Sequence, residues 1–196
     1  MKGGENNMKK SAQSRFNRDQ VRKGGFTLVE LLVVIAIIAI LAAVVVLIIN
    51  PLELTRRGRD ATRLTDMASL QSALNVAVQE ATGSGAVGVL CKGTGTYPCT
   101  GSSNIGTRAT DGSGWIKADL STSKSVSVPT LPVDQVNSVI YHHTYCANND
   151  AWEIDTVLES DQQKARMITD GGNEPDKYEV GSNLSLIALS GGSCTY

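Results

Sequence analysis

From Leu31 to Ile49 every residue is apolar, nineteen in a row. That length satisfies the requirement for a membrane-spanning helix. The run is apolar on all sides, whereas an amphipathic surface helix would show a polar face. Counted from Phe26 to Ile49 it holds 24 residues, or roughly 36 Å at about 1.5 Å per residue, slightly more than a hydrocarbon core of about 30 Å. A secretory signal peptide has an apolar core of only about 7–15 residues followed by a small-residue cleavage site; here the core is longer and Asn50-Pro51 follows. The proline weakens or kinks the helix and pushes Asn50 away from the α region. Beyond it the pattern changes. Leu64, Met67, Leu70, Leu74, Ala77, Val78 and Ala81 recur at three- and four-residue intervals, which places them on one helix face. Gly83-Ser84-Gly85 stops that pattern. The expectation is one long helix, interrupted between residues 50 and 58, whose second half is amphipathic and packs under a head.

Residues 83–196 have the size of one small domain and are rich in Gly, Ser and Thr. Val139, Ile140, Tyr141, Thr144 and Tyr145 predict a strand from Ser138 to Tyr145. Asn148-Asn149-Asp150 predicts a turn. Trp152, Ile154, Thr156 and Leu158 alternate onto one face of a second strand, and Leu184–Leu189 is a third candidate. Residues 91–137 read as loop-rich. The fold class is α+β: a long N-terminal α-helix packed against a small antiparallel β-sheet. The organisation divides at 1–25, 26–50, 51–82 and 83–196: a basic leader, a transmembrane segment, its amphipathic continuation and an extracytoplasmic head.

Charge sharpens this division. Residues 1–25 carry seven basic and two acidic residues, the remainder eleven basic and seventeen acidic, so a near-neutral chain conceals a basic leader and an acidic body. Basic residues ahead of a span hold that side in the cytoplasm. Arg56, Arg57, Arg59 and Arg63 just beyond the span weaken that signal. The basic residues of the leader stop at Lys23, immediately before Gly24-Gly25-Phe26. That placement disfavours a disordered basic tail for nucleic acid, and no nucleic-acid contact is evident elsewhere. Glu30 is the one charge between Phe26 and Ile49. A carboxylate inside a membrane helix is costly and by default functional, although one near the edge can also reach water.

The segment from Lys23 through Gly24-Gly25-Phe26-Thr27-Leu28-Val29-Glu30 into the apolar run strongly resembles the type IV pilin and type II secretion pseudopilin family. The resemblance implies cleavage between Gly25 and Phe26, N-methylation of Phe26, and a role for Glu30, the fifth mature residue, in pairing with a free N-terminal amine. Such a pair is strong in a low-dielectric helix bundle and weak in water. Translation from Met1 or from Met8 would suit the motif. Residues 59–66 are similar to the family's post-membrane helix start and also read as an ordinary solvated charged face; Arg56–Arg63 facing lipid headgroups is a lesser alternative. Leu131-Pro132-Val133-Asp134 is similar to a Leu-Pro-x-Asp element that precedes the sheet in pseudopilins.

Cys91, Cys99, Cys146 and Cys194 all lie beyond the span, as two disulfides in an oxidising exterior would. Four cysteines permit three connectivities. The favoured one pairs Cys91 with Cys99 across a short loop and Cys146 with Cys194. No Cys-x-x-Cys spacing supports metal. His142 and His143 are adjacent, so on a strand they face opposite ways and do not share a metal. No nucleophile, phosphate-loop or zinc-helix motif appears, so nothing supports an enzyme. Asp170, Asn173, Glu174 and Asp176 gather oxygen donors in one Gly-containing loop. The loop loosely resembles the calcium loop of major pseudopilins, and a plain polar turn is its ordinary reading. No cofactor is required; calcium is the one candidate.

These features together predict a filament subunit of a type IV pilus or a type II secretion pseudopilus. Its implied partners are copies of itself, a prepilin peptidase and methyltransferase, an assembly platform and the membrane. It would sit as a single-pass inner-membrane protein with a cytoplasmic leader before assembly. The competing reading is an uncleaved, membrane-anchored binding or adhesion protein, for which Gly25, Phe26 and Glu30 would be incidental.

Overall fold

The computed structural model describes residues 24–81, 87–123 and 125–195. The rest of the leader and the Gly83-Ser84-Gly85 stop lie outside the described residues. The chain divides after Leu47 into two units, each described by itself.

The first unit is dominated by α1, Leu28–Ile48, a helix long and apolar enough to cross a membrane. Its leucine, valine and isoleucine side chains between Leu28 and Val46 are exposed. The long helix is interrupted where the Asn-Pro pair predicts. Ile49 and Asn50 break it, and α2 runs from Pro51 to Glu80. Asn50 leaves the helical region (φ −56°, ψ 100°) and its Oδ1 accepts the Glu53 N–H at 3.3 Å. Asn50 at the N-cap with proline at the next position is a favourable start signal, because proline lacks the N–H that would go unpaired there. Gly58 lies inside α2 without interrupting it.

In the second unit α2 packs beneath a four-stranded antiparallel sheet of order β1-β2-β3-β4. The strands are β1 Cys99–Ser102, β2 Thr144–Asn148, β3 Ala151–Thr156 and β4 Tyr178–Gly181; two short helices, α3 Val87–Leu90 and α4 Arg166–Thr169, fall between them. Met67, Leu70, Leu74 and Ala77 of α2 meet Tyr145 of β2, Trp152 and Ile154 of β3, Val180 of β4 and Trp115 from the long connection. Apolar burial of this kind is the main force holding a helix on a sheet.

The sheet differs from the expected one in three strands. Ser138–Tyr141 is a local turn: the Ser138 N–H donates to the Tyr141 carbonyl at 2.9 Å, the Tyr141 N–H donates to Ser138 Oγ, and Asn137 has φ 45°. β2 therefore begins only at Thr144. The expected turn is present, with Asn149 at φ 53° between paired Asn148 and Ala151; asparagine tolerates that left-handed conformation. Leu184–Leu189 forms no strand; Ile187 makes one isolated bridge with Cys194. β1 and β4 complete the sheet instead. β1 is short and contains Gly101, where an added Cβ would lie 2.1 Å from the Trp115 carbonyl oxygen. Close backbone approach, rather than strand propensity, selects its sequence.

Candidate functional site

The N-terminal site is built around the start of α1. Gly24, Gly25 and Phe26 are exposed and precede the helix. Thr27 and Glu30 close a reciprocal set of three bonds. The Glu30 N–H donates to Thr27 Oγ1 at 3.2 Å, while the Thr27 N–H and hydroxyl each donate to Glu30 Oε2 at 2.8 Å. This is a capping box, which satisfies backbone donors that a helix start leaves free. Thr27 therefore has a role that the sequence pattern did not single out, although Thr-x-x-Glu ahead of an apolar run is its signature. Both bonds from Thr27 use Oε2, which leaves Oε1 for another donor. The exposed Gly25–Phe26 link, the fixed carboxylate four residues later and the bare apolar helix form one continuous segment.

A second constellation fastens α2 to the head. Asp60 and Arg63, expected on a solvated face, are buried at 0% and 1% exposure. Arg63 Nη1 donates to Asp60 Oδ1 at 2.9 Å, its Nη2 lies 2.6 Å from Glu159 Oε1, and its Nε and Nη2 grip the Asp134 carboxylate. Arg59 Nε donates to Glu159 Oε1 at 2.8 Å. Asp60 also accepts the N–H groups of Glu159 and Ser160, and Asp134 those of Val136 and Asn137. Arg63 lies over the Tyr141 ring, 5.2 Å from its centre. Each buried charge is thus paired and hydrogen-bonded, the condition under which burial is tolerated. Burial works to raise the Asp134 carboxyl, but the Arg63 guanidinium and the two N–H groups hold it below its usual range. The bond from Arg59 holds Glu159 low as well. The signal was present in the sequence: Asp60 and Arg63 continue the 67, 70, 74, 77 stripe backwards in the same three–four spacing.

The cysteines form Cys91–Cys99 and Cys146–Cys194, with Cα atoms 5.8 and 6.1 Å apart. The first ties the connection after α3 to β1; the second ties β2 to the C-terminal segment. His143 is fully buried, its Nδ1 3.0 Å from Thr156 Oγ1, and burial pushes it down to about 4. His142 is partly exposed and bonds Ser138.

The acidic loop uses its own side chains. Asp170 accepts the N–H groups of Gly172 (3.0 Å) and Glu179 (2.8 Å), and Glu174 Oε1 accepts the Leu189 N–H at 3.0 Å. In the orientation its neighbours require, the Asn173 amide donates to Glu179 Oε1 at 2.9 Å and to the Leu184 carbonyl at 2.6 Å. Asp176 is exposed. Among the described residues the acidic groups that converge are others: Glu153, Asp155 and Glu179, all buried on the sheet. Sequence reading missed them because Glu153 and Asp155 occupy the positions of β3 assigned to its polar, outward face.

Residues 21–46 match a family described as the prokaryotic N-terminal methylation motif. No curated protein and no solved structure matches the chain.

Proposed function

From a chain that carries the prokaryotic N-terminal methylation motif of type IV pilin-like precursors, we propose a structural subunit of a type IV pilus or type II secretion pseudopilus-like filament, cut after Gly25 and N-methylated at Phe26. The observation that carries this reading is the coincidence of the motif, residues 21–46, with the bare apolar helix α1 and its capped Glu30. A membrane-anchored precursor follows from the same features.

Cleavage frees an α-amine at Phe26, next to Thr27 in the capping box. In lipid, an ammonium and a carboxylate attract far more strongly than in water. Glu30 Oε1 then meets the amine of a neighbouring subunit, which sets one stagger between α1 helices. The apolar faces that lipid covers in the precursor become helix–helix contacts in the filament, and the disulfide-bonded heads face water. The partners of this reading are copies of the chain, a prepilin peptidase with methyltransferase activity, and an assembly platform in the inner membrane, with the leader in the cytoplasm.

Two variants test it in cells lacking the wild-type chain. Replacing Gly25 by a bulky residue blocks trimming and leaves the precursor in the membrane. Glu30→Ala leaves trimming and insertion intact and lowers the amount of chain in sheared surface or filament fractions. Normal filament yield from both variants refutes the trimming and pairing scheme, and a wild-type chain confined to the membrane fraction and still carrying its leader is the result expected of an uncleaved anchored binding protein.

A further inference from the structure

The sheet face turned away from α2 holds three carboxyl groups that the filament reading does not use. Along β3 Glu153 and Asp155 alternate with the core residues Trp152 and Ile154, so pleating sends them to the opposite face. Glu179 on β4 stands directly across from Asp155 in the antiparallel ladder. All three are buried, and one oxygen of each lies within 4.8 Å of the others. Two stretches of chain hang on them. Glu153 Oε2 accepts the N–H groups of Leu186 at 2.7 Å and Ile187 at 2.9 Å in the C-terminal segment. Glu179 Oε2 accepts the Glu174 N–H at 3.1 Å in the loop of residues 170–177. A Cβ added at Gly172 would lie 1.6 Å from that oxygen, so the loop lies directly against the carboxyl group.

The carboxyl groups also meet one another. The Glu153 side chain lies in hydrogen-bonding range of both Asp155 and Glu179. Ionised carboxylates only accept hydrogen bonds, so each of these contacts needs a proton on one partner. Among the described residues no other donor reaches Glu153 Oε1 or either oxygen of Asp155, although Asp155 is 0% exposed. A buried carboxylate left without a donor is destabilising. The arrangement that satisfies these contacts makes Glu153, already held by two N–H groups, the acceptor. Asp155 and Glu179 each carry a proton and donate to it. A single negative charge then remains, beside the Lys177 ammonium that attracts Asp155. Of the other ionisable neighbours, Asp170 repels Glu179, while Glu174, Asp176 and His142 face Lys177. β2 sets only Thr144 and Cys146 across from Asp155 and Glu153, and the C-terminal segment presents the N–H groups of Leu186 and Ile187. Burial, then repulsion from Glu153 and Glu179, pushes the Asp155 carboxyl well up; burial also raises Glu179, to about 8.

We propose that Glu153, Asp155 and Glu179 share two protons and form a proton-dependent latch that closes the C-terminal segment and the 170–177 loop over the sheet. With both protons in place the trio carries one charge and needs no water. Without them three buried carboxylates face one ammonium. Like charges at this range repel, and each carboxylate demands hydration. Water reaches them when the covering chain lifts. Opening restores ordinary acidity and releases both protons, so rising pH favours the open form. The Cys146–Cys194 disulfide keeps the C-terminal segment tied beyond Ile187, so the segment opens as a closed loop rather than a free tail. α2 holds the opposite face of the sheet through apolar contacts that carry no proton. The opening is therefore local, and it requires less free energy than unfolding the head.

The test uses the full chain in detergent and reads both the protons and the latch. The infrared carbonyl band of protonated carboxyl groups should be present at pH 6.5, where ordinary carboxylates are ionised. Hydrogen exchange of the Leu186 and Ile187 amides, corrected for the intrinsic pH dependence of exchange, reports opening. Their protection should lie below that of Met67 and Leu70 in α2. It should fall about tenfold per pH unit for each proton released between pH 6.5 and 7.5. Asp155→Asn with Glu179→Gln keeps two donors for Glu153 and removes both titrating groups, so the acid band is lost and protection stops depending on pH. The two wild-type readouts need no variant to fold. Absence of the acid band at pH 6.5 overturns the proposal. So does protection at Leu186 and Ile187 that is constant with pH, or that equals that of α2 throughout, which would mean that the segment opens only with the whole head. An unchanged pH slope in the double variant overturns it as well. The filament reading stands or falls separately, on Gly25 and Glu30.

Discussion

Asp60 and Arg63 occupy positions where a helix under a sheet usually presents apolar side chains. Their burial is tolerated because Asp134, Glu159 and several backbone N–H groups complete the network. Removing one member leaves an uncompensated buried charge. Asp134→Ala should therefore destabilise the head by about 3–5 kcal/mol, measured by urea unfolding of the full chain in detergent; a loss within experimental error would mean that water reaches Arg63. Titration adds a second prediction with opposed signs. The buried His143, pushed down to about 4, stays neutral in the folded head while the unfolded chain takes a proton below its ordinary value of 6.5. Stability is therefore lost as pH falls from 6.5 towards 4, by on the order of 3 kcal/mol. Glu179, raised to about 8, and Asp155, raised well above its usual range, act in reverse: the folded head holds protons that the unfolded chain has released. Stability should fall as pH rises from 6.5 to 8, and Glu179→Gln should flatten that slope. A stability that rises over this interval would contradict the buried, protonated cluster.

At the scale of elements, α1 and the lower face of α2 were legible from periodicity alone, because nineteen apolar residues and a three–four stripe leave few alternatives. The break at Ile49 and Asn50 was legible as Asn-Pro. The sheet was legible at β3 and its turn, where alternation is clear. It was not legible at β1, whose Cys-Thr-Gly-Ser sequence has no strand propensity and is chosen by the Trp115 backbone above Gly101. Val139 and Ile140 misled because β-branched residues there are exposed on a turn held by Ser138. The ion network was legible only as Asp60 and Arg63 continuing the apolar stripe of α2, and the acid triad not at all, because sequence patterns assign charge to solvent and only tertiary partners show which charges are enclosed. The two disulfides tie elements of different separation, 8 residues for Cys91–Cys99 and 48 for Cys146–Cys194. Chain entropy then predicts that replacing the second pair by serine costs about 4 kcal/mol and the first about 2.5 kcal/mol, with denaturant midpoints in that order; the reverse order would place the main constraint in the short loop.

At the scale of the whole molecule, the head supplies no reason for a 21-residue helix whose leucine, valine and isoleucine side chains from Leu28 to Val46 are exposed. In the proposed filament that surface meets lipid before assembly and other helices after it, and the motif at residues 21–46 marks where the processing step between the two would act. The decisive quantity is the N-terminus of the mature chain. Intact-mass and N-terminal sequencing of the protein in filament fractions should find a chain beginning at Phe26 and carrying one added methyl group. Assembled protein that still begins at Met1 or Met8 would contradict the filament account at its root.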